Sequence, residues 1–249
     1  MKDTTKVITA TEFKQNLGKY IDYCLEDNEV IVTKNGKKAV RLSPYLTDIE
    51  RYFIVKEKAL DYQLGGKQVS YKEFMEIYGN SELRMEYING EIVLQDSPST
   101  FHQDIAGNLF TILKEFLEGR ECKVYIAPLD VHFYKKDLKT PDVMQPDLLI
   151  TCDHQEKINE KGRYMGTPTL CVEILSASTR SKDMVTKLNT YMLSGVREFW
   201  LVDPKKKTVT VYGFKDFEVV EYEVYQHNDA VQSYFFDSLT AIVQTVFED

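Results

Sequence analysis

The chain has 249 residues, 43% of them hydrophobic and 12% aromatic, and a formal charge of −8. That is the composition of a folded protein with room for one large domain, or a large one and a small one. No apolar run approaches the ~20 residues that span a bilayer, and no apolar signal core follows Met1–Thr5, which points to a cytoplasmic protein without a membrane partner.

Residues 1–45 open as a compact unit. Val7-Ile8 is a short strand. Thr9 and Glu12 have capping-box spacing, and Phe13, Leu17, Tyr20, Ile21, Cys24 and Leu25 then recur on one helical face. Strands follow at 29–33 and 38–42, joined by Lys34-Asn35-Gly36-Lys37, where Asn-Gly between apolar runs signals a hairpin. One helix and three short strands bury too little surface to stand alone, so the unit is expected to dimerise. Residues 46–69 read as a connecting helix, over 47–63, and a linker broken at Gly65-Gly66.

Residues 70–249 form the larger part. Ser70 and Glu73 cap a short helix through Tyr78. A hairpin over 83–94 turns at Asn89-Gly90. A long helix starts at Ser99, with Ile105, Leu109, Ile112, Leu113, Phe116 and Leu117 inward. Strands are expected at 123–126, 129–134, 148–152 and 170–175, then a helix over 182–193. Further strands are expected at 198–202, 208–212 and 219–225, and 238–246 is either a strand or a short helix. This order predicts an α/β chain of α+β character, with a mixed sheet flanked by helices. Cys24, Cys122, Cys152 and Cys171 are far apart, have no paired metal spacing, and are expected to be reduced and mostly buried.

The charge is uneven. Residues 1–45 hold eight Lys/Arg against six Asp/Glu, and the remainder 23 against 33. The acidic majority argues against a broad footprint on DNA, so any such contact is local or metal-assisted. The chemistry concentrates in two apolar runs that each carry one carboxylate, Asp147 after Gln145-Pro146 and Glu173 within 170–175. Alternation places Cys171, Glu173 and Leu175 on one face and Leu170, Val172 and Ile174 on the other. A carboxylate in an apolar run needs a cationic partner. If the two strands are neighbours, one hard divalent metal serves both; a buried Glu–Lys or Glu–Arg pair is the competing explanation for Glu173. Lys187 sits at the border of the apolar face formed by Met184, Val185, Leu188, Tyr191 and Met192. Its stem can reach a cleft, or it can pair with Asp183 at i,i+4.

Two resemblances sharpen this. Ile8-Thr9-Ala10-Thr11-Glu12-Phe13-Lys14-Gln15-Asn16-Leu17 and Val30-Ile31-Val32-Thr33-Lys34-Asn35-Gly36-Lys37 resemble the Phd/YefM antitoxins. This implies a βαββ homodimer that contacts operator DNA, or a dimerisation module alone; a toxin-binding tail would begin where a second domain stands here. Residues 70–247 resemble the Uma-two (Uma2) endonucleases of the PD-(D/E)XK superfamily. The carrying residues are Glu86-Tyr87-Ile88-Asn89-Gly90, Pro98 with His102, Gln145-Pro146-Asp147, Val172-Glu173-Ile174-Leu175-Ser176, Asp183, Lys187, Tyr191 and 195–204. The resemblance implies a restriction-endonuclease-like core and Mg²⁺-dependent cleavage of DNA phosphodiesters, with Mn²⁺ able to substitute. Asp147 and Glu173 would hold the metal, Lys187 would supply the ammonium, and Glu86 would join them as a third acid or an anchor. His102, Gln145 and Asp183 are supporting candidates, and Arg180 and Lys182 are candidate phosphate contacts. The superfamily lysine two residues after the Glu is Leu175 here. Its absence leaves open a DNA-binding regulator with a silent nuclease fold, or a toxin–antitoxin fusion that restrains its own nuclease.

Overall fold

The computed structural model describes residues 5–25, 28–43, 65–160, 162–176 and 181–248, without the side chains of 181–183. It divides into two compact units, Met1–Tyr62 and Gln63–Asp249. The helix expected over 47–63 lies outside the described residues.

In the first unit, β1 (Lys6–Thr9) pairs parallel with β2 (Val30–Lys34), and β2 pairs antiparallel with β3 (Lys37–Leu42). The β2–β3 turn holds Asn35 at φ 53° and Gly36 at φ 73°, the left-handed pair that Asn-Gly supplies most cheaply. The expected single helix is two, α1 (Ala10–Gln15) and α2 (Leu17–Leu25). The break is Asn16, whose side-chain amide donates to the Glu12 carbonyl at 3.1 Å, a local bond that competes with continued helix. Thr9 accepts from the Glu12 amide at 3.1 Å, but the Glu12 carboxylate instead accepts from Tyr20 Oη, so the capping box is half made. Ile8, Tyr20, Cys24, Val30 and Val32 form the core. The predicted apolar face is only partly used, because Leu17, Ile21 and Leu25 stay 48%, 42% and 71% exposed.

The second unit is built on a six-stranded mixed sheet of order β13-β12-β11-β10-β9-β6. The strands are β6 (Lys123–Ile126), β9 (Leu148–Thr151), β10 (Leu170–Ile174), β11 (Glu198–Asp203), β12 (Thr208–Lys215) and β13 (Glu218–Gln226). Only β10 and β11 run parallel; every other neighbouring pair is antiparallel. A four-stranded sheet of order β5-β4-β8-β7 contains β4 (Met85–Ile88), β5 (Glu91–Leu94), β7 (Val131–Phe133) and β8 (Asp142–Met144). The β4–β5 turn repeats the Asn-Gly device, with Asn89 at φ 52° and Gly90 at φ 86°. Ser70 and Glu73 make a reciprocal capping box on α3 (Tyr71–Gly79), and Ser99 caps α4 (Thr100–Phe116).

The period-2 pattern of β10 decides what covers each face of the large sheet. Leu170, Val172 and Ile174 pack under α4 with Ile105, Leu109, Leu113 and Trp200. Cys171 points to the opposite side, among Phe133, Met144, Tyr191, Phe199 and Phe214. Tyr191 belongs to α6 (Ser181–Leu193), which lies on that side after the short α5 (His154–Lys157). The tail combines both expected forms, β15 (Thr240–Ile242), paired with β14 (Ala230–Gln232), then α7 (Val243–Val246). No helix among the described residues is long and apolar enough to cross a membrane.

One expectation fails. Cys24 and Cys171 are free and buried, but Cys122 and Cys152 form a disulfide. The β6–β9 register pairs Lys123 with Thr151, which brings the next residues outward, Cys122 and Cys152, face to face. Thirty residues of sequence hid that contact. Titration of thiols in denaturant without reductant should therefore find two per chain; four would mean that the bond does not form.

Candidate active site

Four elements deliver the site. The β9–β10 register pairs Leu148 with Val172, so Asp147, just before β9, comes level with Glu173. The Asp147 carboxylate accepts from the Ile174 amide at 2.8 Å, and its carbonyl accepts from the Ala127 amide at 2.9 Å. Glu86 comes from β4 of the smaller sheet, and Lys187 comes from α6. The Lys187 ammonium lies 3.0 Å from Glu173 Oε1 and 3.1 Å from Glu86. All three side chains are buried.

Each partner is held in turn. Glu86 Oε1 accepts from the Gln145 backbone amide at 2.8 Å, and Oε2 accepts from the Gln95 side chain at 2.8 Å. Tyr191, one helical turn beyond Lys187, donates its hydroxyl to Glu173 Oε1. Sequence spacing put Lys187 at the border of the helix face. Instead Met184, Lys187 and Tyr191 form the buried stripe, and Val185, expected inward, is 68% exposed. The stripe rotates because Lys187, though charged, is drawn inward by two carboxylates. The Leu175 position stays apolar and half-buried, and the ammonium arrives from the helix.

The charges are unequal, three carboxylates around one ammonium. Burial, helped by the charges of Asp147 and Glu86 and opposed by Lys187, leaves the Glu173 carboxyl raised to about 7. Burial works against the Lys187 cation, but Glu173 and Glu86 outweigh it and hold Lys187 protonated. Glu198 offers a contrast. It is a fully buried carboxylate in another apolar strand, yet Trp200, Ser233 and the Phe235 amide all donate to it. Neutral donors satisfy it and, among the described residues, no salt bridge reaches it, so it serves as an anchor for the loop at 233–235. A Glu inside an apolar strand therefore does not by itself mark a site; convergence with other charges does.

His102 sits in the first turn of α4 with Nε2 3.3 Å from Asp147 Oδ2, while its Nδ1 is buried without a partner among the described residues. Burial opposes its cation, but the bond and charge of Asp147 win and raise its pKa. Gln145 bridges outward, accepting from Arg84 at 3.2 Å and donating to Asp130 at 2.8 Å. Thus Asp147, Glu173, Lys187, Glu86, His102 and Gln145 lie in one neighbourhood, tied by pairwise contacts. Arg180 lies outside the described residues, and the side chains of Lys182 and Asp183 are not described.

Sequence reasoning missed Gln95 and a second buried network. Lys135 donates to Asp142 Oδ2 at 2.7 Å and also to Asn89. Thr190 donates to the same Asp142 oxygen at 2.8 Å, and the Asn89 amide donates to Oδ1 at 2.8 Å. Asn89 follows Glu86 by three residues and Thr190 follows Lys187 by three, so this network ties together the two elements that hold Lys187. Lys135→Ala leaves Asp142 buried without its cation and should lower unfolding stability by about 3–5 kcal/mol, measured by denaturant titration.

A metal would find a suitable donor set here. Among the described residues no group of three or more His, Cys, Asp or Glu converges on one point, and Glu86 is taken up by Lys187, Gln145 and Gln95. Asp147 and Glu173 remain. Two carboxylates with water at the other positions are the usual provision for Mg²⁺, and the surplus negative charge favours a divalent cation.

A mixed sheet with helices on its faces and a carboxylate–lysine cluster at the interior strand pair β9–β10 defines the class, a restriction-endonuclease-like fold. The chain belongs to the Uma2 family, described as "Putative restriction endonuclease", whose model matches residues 71–243. Residues 5–52 match the model described as "Antitoxin Phd_YefM, type II toxin-antitoxin system", which makes the first unit an antitoxin-type domain. A crystal structure described as a putative nuclease belonging to DUF820, from Anabaena variabilis, shares the fold with a TM-score of 0.60 and 22% identity, over 72% of this chain and 97% of that one. No curated protein matches the chain.

Proposed function

We propose that the chain is a metal-dependent endonuclease that hydrolyses DNA phosphodiesters through Asp147, Glu173 and Lys187. The observation that carries this reading is the meeting of the Lys187 ammonium with Glu173 at 3.0 Å, on the strand next to the one that Asp147 opens. Asp147 and Glu173 would hold one or two Mg²⁺, with Mn²⁺ as a substitute. The metal would supply Lewis-acid activation of water and charge stabilisation on the phosphoryl oxygens. Lys187 orients the attacking water and offsets developing negative charge. Glu86 anchors Lys187, Tyr191 fixes Glu173, and His102 steadies Asp147. Arg180, Lys182 and Asp183 remain candidates for phosphate contact and support.

The first unit would act as a homodimeric tether. Its exposed Leu17, Ile21 and Leu25 form the surface that a second copy would cover, and paired units raise the local concentration of DNA. A cytoplasmic location completes the reading. The Cys122–Cys152 bond stands against a reducing compartment, and the thiol count decides between them.

The match of residues 5–52 to an antitoxin favours a second reading, a DNA-binding regulator or toxin partner whose nuclease fold is silent. One experiment separates the two. With Mg²⁺ or Mn²⁺, wild type should nick plasmid DNA and Asp147→Ala should lose at least about 10²-fold in rate. Equal cleavage by both removes the site; metal-independent operator binding with no cleavage selects the regulator.

A further inference from the structure

A cavity of about 290 Å³ adjoins the carboxylate–lysine cluster, lined chiefly by Tyr78, Pro128, Leu129, Asp130, Gln145 and Arg163. It shares Gln145 with the site, and the residue before its Pro128 also touches the site. The Gln145 amide holds Glu86 at 2.8 Å, and Ala127, one residue before Pro128, donates to the Asp147 carbonyl at 2.9 Å. The volume lies at the lower end of small-molecule sites, room for one planar ring system with its sugar and phosphate outside.

The polar groups of the lining are divided in a particular way. Asp130 Oδ1 accepts from Tyr78 Oη and from Gln145 Nε2, each at 2.8 Å. Neither bond uses Oδ2. Arg163 lies on the same cavity, yet among the described residues its guanidinium makes no ion pair with Asp130 or any other carboxylate. An anionic and a cationic side chain therefore line one space with no salt bridge between them. Their complement is a flat group with N–H donors beside a carbonyl oxygen. Of the nucleobases, guanine alone carries two adjacent N–H donors, N1–H and N2–H₂, next to a carbonyl, O6. Guanidinium suits O6 as a donor, the remaining Asp130 Oδ2 suits the two adjacent N–H groups as their common acceptor, and Pro128 and Leu129 supply apolar surface to the ring.

We propose that this cavity is a guanine subsite, which takes one unpaired base beside the scissile phosphodiester. The proposal rests on the nuclease reading. A base that enters must be single-stranded or turned out of the duplex, because its Watson–Crick edge is the edge that is read. Cleavage is accordingly directed to single-stranded or distorted DNA with guanine next to the cut.

The test uses the full chain in EDTA, titrated with GMP, AMP, CMP and TMP and followed by NMR shifts or calorimetry. GMP should bind about tenfold or more tightly than AMP. Asp130→Asn keeps an oxygen for Tyr78 and Gln145 but turns an N–H₂ group toward the ligand, so it should abolish the preference. Arg163→Ala should weaken GMP binding. Equal binding of the four nucleotides, an unchanged preference in Asp130→Asn, or displacement of GMP by inorganic phosphate overturns the subsite. Plasmid cleavage without any nucleotide preference removes the subsite alone. Guanine preference without cleavage of any nucleic acid keeps the base site and removes the nuclease reading.

Discussion

Lys187→Met should abolish cleavage and also destabilise the larger unit by about 3–5 kcal/mol, because it leaves Glu86 and Glu173 buried without their common counter-ion. The two effects have separate origins and can be parted. Adding Glu173→Gln to Lys187→Met removes one of the stranded charges, and should recover part of the stability in a denaturant titration while plasmid nicking stays absent. The two substitutions should therefore be strongly non-additive in stability. A Lys187→Met protein that folds and nicks plasmid at the wild-type rate would make Lys187 a structural counter-ion and nothing more.

Glu173→Gln by itself should change how stability depends on pH. Without metal, the folded protein holds the Glu173 carboxyl at about 7, above its ordinary value of 4.5, so the native state binds this proton more tightly than the unfolded chain. The contribution of this group is therefore complete below the unfolded pKa and is lost as pH rises through about 7, a decline on the order of 3 kcal/mol. In EDTA, Glu173→Gln should match wild type near pH 4.5 and exceed it at pH 8. Mg²⁺ should reverse the order at pH 8, because a ligand that binds only the folded state raises the apparent stability and the variant has lost one of its carboxylates. Parallel pH profiles in EDTA would sink the account of Glu173, and equal stabilisation of both proteins by Mg²⁺ would sink its role as a metal donor.

Local chemistry made much of this molecule legible. Asn35-Gly36 and Asn89-Gly90 marked the β2–β3 and β4–β5 turns, since Asn and Gly accept left-handed conformations most cheaply, whereas the β12–β13 turn uses Asp216-Phe217, a pair without that signature. Ser70 with Glu73 and Ser99 marked helix starts, and the alternation over 170–175 assigned the faces of β10 and set Glu173 apart from its neighbours. Non-local contacts were less readable. The three-residue strands 142–144 and 230–232 are too short to show a period. Asn16 breaks a helix that apolar spacing alone would continue. Apolar character predicts Val185 inward and charge predicts Lys187 at the border; the ion network inverts both. Neither the Lys135–Asp142 network nor the Cys122–Cys152 bond has a local signature, because their partners meet only through sheet register.

The arrival of the ammonium from α6 has a consequence for biosynthesis. Glu86 and Lys187 are 101 residues apart in sequence, and they meet only when helix, hairpin and large sheet have all docked. A ribosome-bound chain that has emerged as far as Glu173 already carries every acidic group of the cluster, yet it has no amine to work with. On the proposed reading such a chain would spare nearby DNA, and the ability to cut would appear only on completion of the tertiary fold.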